Sequence, residues 1–586
     1  MRIAIIDRKK CAAFSKCDLI CMRYCPVQRA KKEVFKIVDK KIQINEELCI
    51  GCGICVKKCP FNAIKIVNIP DEYEKRLIHS YGKNSFRLYG LPHPKLGEII
   101  GILGKNGIGK TTSFLILSGK LLPNFGKENI REEDVLNNFR GKSIAKYFEE
   151  LYFKKIKISQ KPQYIGLIKK KFKGKVSNLI KKFNVEKVIE LLRSLNSEYL
   201  LERRIEDLSG GELQKLLVCL ALSKDANVFL IDEPSSHLDI IERVRVSNLI
   251  RNQIGEDSYC MVIDHDLLVI DLLADYVYIF YGTPGAYGVV SSLYQCRVGI
   301  NAYLDGFLRA DNVRFREWKI IFEEKKAIPI EESETLLEWE GIKKRLGDFE
   351  LKAQKGKIRV GEIIGILGKN GIGKTTFLRI IANELSPDSG EIKKNDLKIS
   401  HKKQFIVPEG KELVKDVLGK INKDYNTGYL RETVIRPLGI LDLLERRIED
   451  LSGGELQKFE IAKCLISDAD IYLLDEPTAY LDIEERIILS KVIRKVVKDL
   501  KKAAFVVDHD LLFLNYAIDS LIIFEGIPGK QGLCSEPLDF YTGMERFLRS
   551  VGITIRKDKE SGRPRVNKPG SKKDREQRSL NRYFLG

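Results

Sequence analysis

Short apolar runs that end in glycine or in acidic residues recur along this chain and predict buried parallel strands. The run GEIIGIL leads into a glycine-rich loop at Gly104, and the runs VFLID and IYLLD are each followed directly by a glutamate. Apolar runs of about four to eight residues bounded by turn signals are typical of strands buried on both faces. A helix-like segment, TTSFLILSGKL, follows the first glycine-rich loop. This succession of strand, loop and helix predicts an α/β fold.

A long internal repeat indicates two copies of one module. GEIIGILGKNGIGKTT occurs at Gly97–Thr112 and again at Gly361–Thr376, and LLERRIEDLSGGELQK occurs at Leu200–Lys215 and again at Leu443–Lys458. Identical segments in the same order predict duplicated domains. The first copy is longer between these motifs, and its extra residues fall at about 131–153. That stretch has two helix-like apolar patterns broken by Gly141, so we expect a helix–loop–helix insertion in the first copy alone.

Composition adds a basic surface to this picture. The 586 residues include 101 Lys and Arg against 81 Asp and Glu, a net charge of +20, and 44% are hydrophobic. This apolar content is sufficient for several packed domains and excludes disorder for most of the chain. The charge favours a polyanionic partner, nucleic acid before membrane, although a solvated basic surface is the alternative. With no long uncharged apolar run and no N-terminal secretory segment, we expect a cytoplasmic protein.

Cysteines are concentrated at the N-terminus, where eight of the thirteen lie within the first 59 residues. The second group reads CIGCGICVKKCP, the C-x2-C-x2-C-x3-C-P run typical of bacterial ferredoxins, and the first group also ends in Cys-Pro. Disulfides and zinc are the alternatives, but nothing marks the chain as secreted, and zinc prefers more widely separated CxxC pairs. We therefore predict one [4Fe–4S] cluster on Cys49, Cys52, Cys55 and Cys25, and a second on Cys11, Cys17, Cys21 and Cys59.

Each copy contains the pattern G-x4-G-K-[ST], which predicts a phosphate-binding P-loop. Its glycines allow backbone N–H groups to face phosphate oxygens at a helix N-terminus. Lys110 and Lys374 are expected to reach the terminal phosphates of a nucleotide, and Thr111 and Thr375 to hold Mg²⁺. The predicted nucleotide-binding residues of the two loops are Gly104, Asn106, Gly107, Gly109, Lys110, Thr111 and Thr112, and Gly368, Asn370, Gly371, Gly373, Lys374, Thr375 and Thr376.

Acidic pairs and a repeated histidine follow in each copy. Asp232 and Asp475 end apolar strands, where each is placed to hold the Mg²⁺ shell. The next residues, Glu233 and Glu476, are placed to polarise an attacking water. A lone histidine is usually a core residue, but two of only six histidines recur in matching Asp-His-Asp segments. We therefore predict that these two, His265 and His509, sense the γ-phosphate.

The segment LSGGELQK resembles the signature of ABC-type ATPases, and the other motifs follow in that family's order. The resemblance implies modules that close head to tail, so that each ATP lies between the P-loop of one copy and the signature of the other. It also assigns Q-loop, signature and D-loop residues to the nucleotide sites. These are Gln163 and Gln404, then Ser209, Gly210, Gly211 and Glu212 with Ser452, Gly453, Gly454 and Glu455, then Asp239 and Asp482.

Aromatic residues ahead of each P-loop are candidates for stacking on adenine. Tyr81 and Phe86 lie before the first P-loop, and Trp339 and Phe349 before the second. Ordinary core packing is the alternative for all four.

The chain as a whole resembles the subfamily E ABC ATPases, the ribosome-recycling factors once called RNase L inhibitors. The resemblance includes CIGCGICVKKCPFNAIKIVNIP, YGKNSFRLYGLP, both ABC copies, the insertion and the tail RPRVNKPGS. The chain departs from the family with five residues between Cys11 and Cys17, where the family usually has four, and with His237 in the first D-loop, where the family commonly has tyrosine.

This second resemblance implies an ATPase with ATP, Mg²⁺ and two [4Fe–4S] clusters that splits ribosomes after termination or rescue and stays on the small subunit. The implied partners are the small subunit with its ribosomal RNA, a class-one release factor or its surveillance paralogue, and initiation factors. In that family the insertion and the hinges contact the ribosome. The protein is expected to be a monomer without a membrane partner, and its iron–sulfur domain is expected to act as a rigid wedge.

The predicted architecture is α/β, with tandem ABC domains behind an α+β ferredoxin-like domain. The expected boundaries are 1–75 for the iron–sulfur domain, 76–281 for the first ABC domain, 282–330 for a hinge, 331–525 for the second ABC domain, and 526–586 for a second hinge and basic arm. From residue 551 onward there are 11 Lys and Arg against 4 Asp and Glu, which predicts an extended arm suited to phosphate contacts.

Two other function classes are compatible with the sequence. A ferredoxin-like domain joined to an ATPase is compatible with ATP-driven electron transfer to a partner, although no flavin or redox-partner motif is present in the sequence. A twin ABC module is also compatible with an energy module for a transporter, which would bind a membrane subunit.

Overall fold

The computed structural model describes residues 2–585 apart from residues 9, 12, 14–16, 39–40, 163–167, 170–171, 323–332, 395, 405, 407 and 409. Gln163, one of the predicted Q-loop residues, therefore lies outside the described residues. Within the described helices, none is long and apolar enough to cross a membrane.

The N-terminal head, residues 2–70, is a small α+β unit. Strand β1 (Arg2–Ile6) pairs antiparallel with β4 (Ile64–Asn68), and β2 (Phe35–Val38) pairs antiparallel with β3 (Lys41–Ile44). The short helices are α1 (Ile20–Arg23), α2 (Pro26–Arg29) and α3 (Ile54–Lys58). Its small core contains Cys21, Cys25 and Cys55 among other apolar side chains. This is the ferredoxin-like domain expected from the sequence.

The first copy is built on one mixed sheet with the P-loop strand near its centre. Its strands are β5 (Leu77–Ser80), β6 (Arg87–Tyr89), β7 (Ile99–Gly104), β8 (Ile158–Lys161), β9 (Val228–Asp232), β10 (Tyr259–Ile263), β11 (Tyr276–Thr283), β12 (Tyr287–Val290) and β13 (Tyr294–Gln295). In the described part of the chain the order is β5-β6-β12-β11-β7-β10-β9-β8. Strands β11, β7, β10, β9 and β8 are parallel neighbours, so their carboxyl ends gather the motifs at one edge.

Helices of the first copy cover this sheet and form the predicted insertion. They are α4 (Lys110–Leu117), α5 (Glu132–Phe139), α6 (Ala145–Tyr152), α7 (Val176–Ile180), α8 (Val185–Ser194), α9 (Gly210–Leu222), α10 (Ile240–Gln253) and α11 (Leu267–Leu273). Helices α5 and α6 are the helix–loop–helix insertion, and they pack through stacked rings of Phe139 and Phe148 whose centroids are 4.7 Å apart. The hinge that follows contains α12 (Cys296–Asp305), β14 (Phe307–Leu308) and β15 (Val313–Arg314).

The second copy repeats the architecture. Its strands are β16 (Thr335–Leu346), β17 (Phe349–Ala353), β18 (Gly356–Arg359), β19 (Ile363–Gly368), β20 (Ser389–Lys394), β21 (Ile399–Lys402), β22 (Ile471–Asp475), β23 (Ala503–Val507), β24 (Ser520–Ile527), β25 (Gln531–Cys534) and β26 (Leu538–Asp539). The described strands run in the order β18-β16-β17-β25-β24-β19-β23-β22-β21. Its helices are α13 (Lys374–Ile381), α14 (Val414–Ile421), α15 (Gly453–Leu465), α16 (Ile483–Asp499) and α17 (Leu511–Ala517).

Several shorter helical turns complete the two copies. A turn at Gly428–Leu430 continues into a π-helical turn at Arg431–Ile435. The 3₁₀ turns are Asp71–Arg76, Glu198–Glu202, Ile205–Asp207, Ile440–Leu443 and Ile448–Asp450. The turns ending at Asp207 and Asp450 each lie directly before a signature segment.

Both sheets extend beyond the predicted domain boundaries. Strand β12 pairs with β11 in the first sheet, and β25 pairs with β24 in the second. The boundaries predicted after residues 281 and 525 therefore fall inside hairpins that belong to the ABC sheets. The Gly-x-Pro-Gly segments are the turns of these hairpins rather than the start of separate hinges.

The C-terminal tail, residues 552–585, is folded, so the predicted extended arm was wrong. After α18 (Phe540–Val551) come β27 (Ile555–Lys557), β28 (Pro564–Val566), α19 (Lys572–Ser579) and β29 (Phe584–Leu585), and the three strands form one sheet. Its buried residues are largely polar and bonded to one another. Asn567, for example, donates to Thr554 Oγ1 at 2.9 Å. Such a polar interior lacks the apolar periodicity by which a folded segment is recognised in a sequence.

Candidate functional site

The two P-loops have the same conformation. Lys110 Nζ donates to the carbonyls of Gly104 and Lys105 at 2.7 and 2.8 Å. Lys374 Nζ makes the corresponding bonds to Gly368 and Lys369 at 2.9 and 2.8 Å. Each lysine is buried and folded over its own loop, where its ammonium can turn toward a bound phosphate. The loop glycines before α4 and α13 have positive φ, which a side chain would strain.

A cavity of about 280 Å³ opens onto the first P-loop. Tyr81 and Phe86 line one side of it, and Lys110, Thr111 and Thr112 line the loop side. The predicted Asp232, Glu233 and His265 complete its wall. The structure therefore brings the first P-loop, the first acidic pair and the first histidine to one pocket of the size that a small ligand occupies.

The adenine candidates divide into two groups. Phe86 and Phe349 have equivalent positions, because a Cβ added to Gly109 or Gly373 would lie 2.8 Å from the Cζ atom of the respective ring. Trp339 is 2% exposed and packs edge-on against Phe377 and Phe505 in the core of the second copy. The prediction that Trp339 faces adenine was therefore wrong, and core packing accounts for it. Lys344, five residues before Phe349, has the position of Tyr81 in the second copy.

The acidic pairs end β9 and β22, next to the P-loops. Thr375 Oγ1 donates to Asp475 Oδ2 at 2.7 Å, which places a hydroxyl and a carboxylate together as a Mg²⁺ site requires. Burial, followed by the charge of Glu233, raises the pKa of Asp232 to about 7. A divalent cation here would supply the missing positive charge and polarise phosphate oxygens. The residues present therefore fit Mg²⁺.

Glu233 and Glu476 have left-handed backbones, with φ of 48° and 45°. Gln404 Nε2 donates to Glu476 Oε1 at 2.7 Å, so the second Q-loop residue contacts the second glutamate directly. Burial and the adjacent Asp475 raise the pKa of Glu476 to about 7. A carboxylate of this kind is suited to accept a proton near neutral pH. Non-glycine residues with strained backbones are frequent at functional sites.

The two histidines face the two glutamates. His265 Nε2 lies 3.7 Å from Glu233 Oε1, and His509 Nε2 lies 3.8 Å from Glu476 Oε1. Burial lowers the pKa of His265 well below its usual value, and the charge of Lys110 lowers it further. The pKa of His509 is lowered in the same way by burial and by Lys374. Each imidazole is therefore neutral and has one donor and one acceptor to offer a phosphate and a carboxylate.

The copies contact each other crosswise at the P-loops. The backbone N–H of Asn106 donates to Asp482 Oδ2 at 3.0 Å, and the backbone N–H of Asn370 donates to Asp239 Oδ2 at 3.0 Å. The side-chain amides of the same asparagines donate to the backbone carbonyls of Tyr480 and His237, both at 3.2 Å. The predicted D-loops therefore bind the P-loop of the opposite copy in a reciprocal arrangement.

The signature segments begin helices that point into this interface. Ser209 and Ser452 cap α9 and α15, and Glu212 and Glu455 return bonds to the two serines, forming capping boxes. A Cβ added to Gly211 would lie 3.7 Å from Asn370 Nδ2, so the first signature faces the second P-loop. This is the head-to-tail contact that the ABC resemblance implies.

The first group of head cysteines surrounds Cys21. Burial raises the pKa of this thiol to about 12, and the nearby thiols of Cys17, Cys59 and Cys11 raise it further. The Ala63 backbone N–H points at Cys59 Sγ at 3.4 Å. Cys11 therefore lies with the other members of its predicted group despite the longer spacing to Cys17.

The second group surrounds Cys55. Burial raises the pKa of Cys55 to about 11, with Cys49, Cys52 and Cys25 as the neighbouring thiols. Among the described residues, no three Cys, His, Asp or Glu side chains form a group that could hold a single metal ion. Two sets of four thiolates fit the ligand demand of two [4Fe–4S] clusters.

The head is anchored to the first copy by a residue that the sequence did not single out. Asn84 Nδ2 donates to the carbonyls of Ala4 and Ile44, both at 3.0 Å, and Asn84 Oδ1 accepts from the Ile44 N–H at 2.7 Å. Asn84 lies between Tyr81 and Phe86, so one loop lines the nucleotide cavity and holds the head.

The head also contacts the second copy. Asn62 Nδ2 donates to Asp442 Oδ1 at 3.2 Å, and Lys65 Nζ donates to the carbonyl of Pro284 in the first copy at 2.8 Å. The head therefore bridges the seam between the two copies.

The hinge and the tail each place a buried arginine on the opposite copy. Arg316 of the hinge pairs with Glu484 of the second copy at 3.1 Å, and Lys105 of the first P-loop pairs with the same carboxylate at 2.9 Å. In the tail, Arg563 and Arg565 pair with Asp271 of the first copy at 3.2 and 2.7 Å. Only the folded structure reveals these pairs, because the partners lie far apart in the sequence.

Comparisons with known proteins agree with this geometry. The sequence matches the ABC transporter family at residues 94–236 and 351–479, and the 4Fe-4S binding domain family at residues 42–65. It is 46% identical to an uncharacterized ABC transporter ATP-binding protein of Methanocaldococcus jannaschii, over 100% of this chain and 97% of the relative. It is 41% identical to translation initiation factor RLI1 of Saccharomyces cerevisiae, over 100% and 98% of the two chains.

A solved structure is similar over the whole chain. The structure described as ribosome-bound archaeal Pelota and ABCE1 contains a chain that superposes with a TM-score of 0.94 at 45% identity. The match covers 100% of this chain and 99% of that chain.

Proposed function

Because this chain belongs to subfamily E of the ABC ATPases, the ribosome-recycling factors, we propose that it splits ribosomes into subunits after termination or rescue and stays on the small subunit. The reaction that drives splitting is ATP hydrolysis at two composite sites. The observation that carries the proposal is the reciprocal pair of bonds from Asn106 to Asp482 and from Asn370 to Asp239. These bonds join the two copies across the sites where nucleotide binds.

ATP favours the closed arrangement, because each nucleotide is gripped by the P-loop of one copy and the signature of the other. Loss of the γ-phosphate removes contacts that only the closed state makes, so hydrolysis shifts the equilibrium toward separated lobes. Opening must break the crosswise bonds of Asn106 and Asn370.

In each site the glutamate polarises the attacking water and the histidine reports on the γ-phosphate. Glu476 is held by Gln404, and its raised pKa suits proton acceptance. Neutral His265 and His509 donate toward the γ-phosphate while facing the glutamates. Asp232, Asp475, Thr111 and Thr375 hold Mg²⁺.

The head carries two [4Fe–4S] clusters on the two groups of four thiols. When bound, the clusters cross-link its short helices and strands and make it rigid. The Asn84 anchor carries the head with the first copy, so closure drives the head as a wedge between ribosomal subunits.

The partners proposed for this chain are the small ribosomal subunit with its RNA, and a class-one release factor or its surveillance paralogue. Initiation factors are further partners, and the protein acts as a monomer. The net charge of +20 supports binding to ribosomal RNA through phosphate contacts.

Sedimentation of ribosomes tests the proposal. Ribosomes incubated with the protein, ATP and a release factor or surveillance factor are expected to yield free subunits. A chain carrying Glu233→Gln and Glu476→Gln is expected to bind ATP but not to release subunits. Ribosomes that stay intact with the active protein would refute the recycling role. Unchanged ATP turnover in the double variant would refute the role of the glutamates.

A further inference from the structure

Each copy contains a lysine buried directly beneath its acidic pair. Lys161 ends β8 and Lys402 ends β21, and each is 1% exposed. Lys161 Nζ donates to the carbonyls of Asp232 and Glu233 at 2.5 and 2.9 Å. Lys402 Nζ makes the same pair of bonds to Asp475 and Glu476, at 2.8 and 3.2 Å. Lys161 is not among the described residues that line the cavity at the first P-loop.

Burying an ammonium group is costly unless it is paired and hydrogen-bonded. The acidic groups that face Lys161 are Asp232, Glu233 and Asp264, and those that face Lys402 are Asp475, Glu476, Asp508 and Glu460. Capping a strand end alone requires no charge, since a neutral donor would satisfy the same carbonyls.

One of the two carbonyls that each lysine binds belongs to a residue with a strained backbone, Glu233 or Glu476. The φ angles of Glu233 and Glu476 are 48° and 45°, a region that non-glycine residues rarely adopt. A second donor acts at the same place: Gln214 Nε2 donates to the Glu233 carbonyl, and Gln457 Nε2 donates to the Glu476 carbonyl at 2.9 Å. The carbonyl of each glutamate thus accepts from a lysine and a glutamine, and the carbonyl that precedes it accepts from the lysine.

We propose that Lys161 and Lys402 are positioning residues that fix the backbone of Glu233 and Glu476, and so aim each carboxylate at the attacking water. Each lysine lies two residues before a predicted Q-loop glutamine. The tether therefore links the strand that leads into the Q-loop to the glutamate of the same copy. This proposal rests on the proposed role of the two glutamates in hydrolysis.

The test is a pair of substitutions, Lys161→Met and Lys402→Met, in the full-length protein. Methionine retains the apolar stem and removes the donor. We expect kcat for ATP hydrolysis to fall about ten- to hundredfold, as for a misplaced catalytic group, with KM changed less than about threefold. The matched controls are Lys157→Met and Lys398→Met. These lysines immediately precede β8 and β21 and pair with Asp225 and Asp468 at the surface, so kcat should not change.

A double-mutant comparison separates positioning from general structural support. In a chain that already carries Glu233→Gln and Glu476→Gln, the methionine substitutions should lower the residual rate by less than about twofold, because the group they position is gone. If the methionine substitutions lower the rate by the same factor with and without the two glutamates, the proposal is overturned. An unchanged kcat in the methionine variants of the parent protein would also overturn it.

Two further outcomes are distinguishable. If the methionine variants do not fold, Lys161→Gln and Lys402→Gln replace them, since glutamine retains a neutral donor. A folded glutamine pair that binds ATP should have a lower kcat than the parent, because the shorter side chain restrains the same carbonyls less well. A kcat equal to that of the parent would overturn the proposal. If Glu233→Gln and Glu476→Gln leave hydrolysis intact, the proposed base fails instead, whatever the lysine variants show.

Discussion

The backbone amide of Asn106 donates to the carboxylate of Asp482 across 376 residues of sequence, at 3.0 Å. The same carboxylate caps α16 through its other oxygen, which accepts from the Glu485 N–H. One aspartate thus fixes the start of a helix in the second copy and the P-loop of the first. Asp239 and Asn370 make the same bond at the other P-loop, so two equivalent contacts hold the lobes together.

Asp482→Ala is expected to weaken closure of the lobes. The bond from Asn106 is made to a charged acceptor, and such bonds contribute about 1.5–3 kcal/mol. Fluorescence energy transfer between labels on the two copies should show a smaller closed fraction with trapped ATP. The control is Asp539→Ala, which removes the N-cap of α18, a loss of about 1 kcal/mol, without touching the interface. Equal closed fractions in the two variants would contradict the prediction.

Glu484→Gln is expected to destabilise the first composite site. It removes the counter-charge of Lys105 and of Arg316, whose guanidinium is buried, and leaving a buried charge without its partner costs about 3–5 kcal/mol. ATP affinity at the first P-loop, measured in a chain whose second site is disabled by Lys374→Ala, should fall.

The second site offers a matched gain-of-contact variant. Ile241 has the position in the first copy that Glu484 has in the second. Ile241→Glu should give Lys369 a carboxylate and strengthen binding there by up to about 1 kcal/mol, in a chain whose first site is disabled by Lys110→Ala. If ATP affinity falls in Ile241→Glu and stays constant in Glu484→Gln, a carboxylate at this position does not support ATP binding.

Asn84→Ala is expected to loosen the head without unfolding the ABC copies. It leaves the Ile44 amide and the carbonyls of Ala4 and Ile44 without their partner, at about 1–3 kcal/mol for each buried group. Hydrogen exchange at the Ile44 amide should accelerate. Asn45→Ala is the control, since Asn45 Oδ1 accepts from the nearby Glu47 and Leu48 amides within the head. Unaltered protection at Ile44 would exclude Asn84 as the anchor.

Asp271→Ala is expected to release the tail. Arg563, which is fully buried, loses its ion pair, whereas Arg565 keeps a second pair with Asp558 of the tail at 3.3 Å. The unpaired Arg563 charge costs about 3–5 kcal/mol, which weakens the contact between tail and first copy. Trypsin should then cleave within residues 552–585 faster than in the parent protein. The control is Asp225→Ala, which removes an exposed ion pair with Lys157 in the same copy and should leave the rate unchanged. Equal cleavage in both variants would show that the ion pairs do not hold the tail.

Cys11→Ser tests whether the longer first spacing still supports a cluster. Anaerobically purified protein should contain about eight irons per chain if both groups are filled. The variant should lose iron from one cluster only, and Cys52→Ser should lose it from the other. An iron content that Cys11→Ser does not change would remove Cys11 from the ligand set, whereas iron-free parent protein would refute both clusters.

The sequence was sufficient to predict the architecture of the copies and much of the site. Identical motifs in a strand–loop–helix context predicted both P-loops, and Gly141 correctly marked the break between the insertion helices. The position of Phe86 beside the first P-loop could be predicted because the residue lies shortly before that loop in the sequence. Trp339 was misplaced, since an aromatic residue in an amphipathic strand has the same local pattern whether it faces a ligand or the core.

The parts that could not be predicted depend on contacts between distant segments. The tail folds around polar bonds and the pairing of Arg563 and Arg565 with Asp271, none of which produces an apolar period. Asn84 was overlooked because its partners are 40 and 80 residues away in another domain. The sequence does show a lysine two residues before each Q-loop glutamine, at Lys161 and Lys402. Its role could not be inferred, because only the structure shows that both lysines are buried beneath the acidic pairs.

Because the head contacts both copies, the two copies can separate by only a short distance before one of its contacts breaks. Its bond from Asn62 to Asp442 spans 3.2 Å, and a hydrogen bond is lost once the atoms separate by a few tenths of an ångström more. Its hold on the first copy, through Asn84, is unaffected by such a movement. A small separation of the two copies is therefore enough to free the head from the second copy, while the bonds of Asn84 keep it attached to the first.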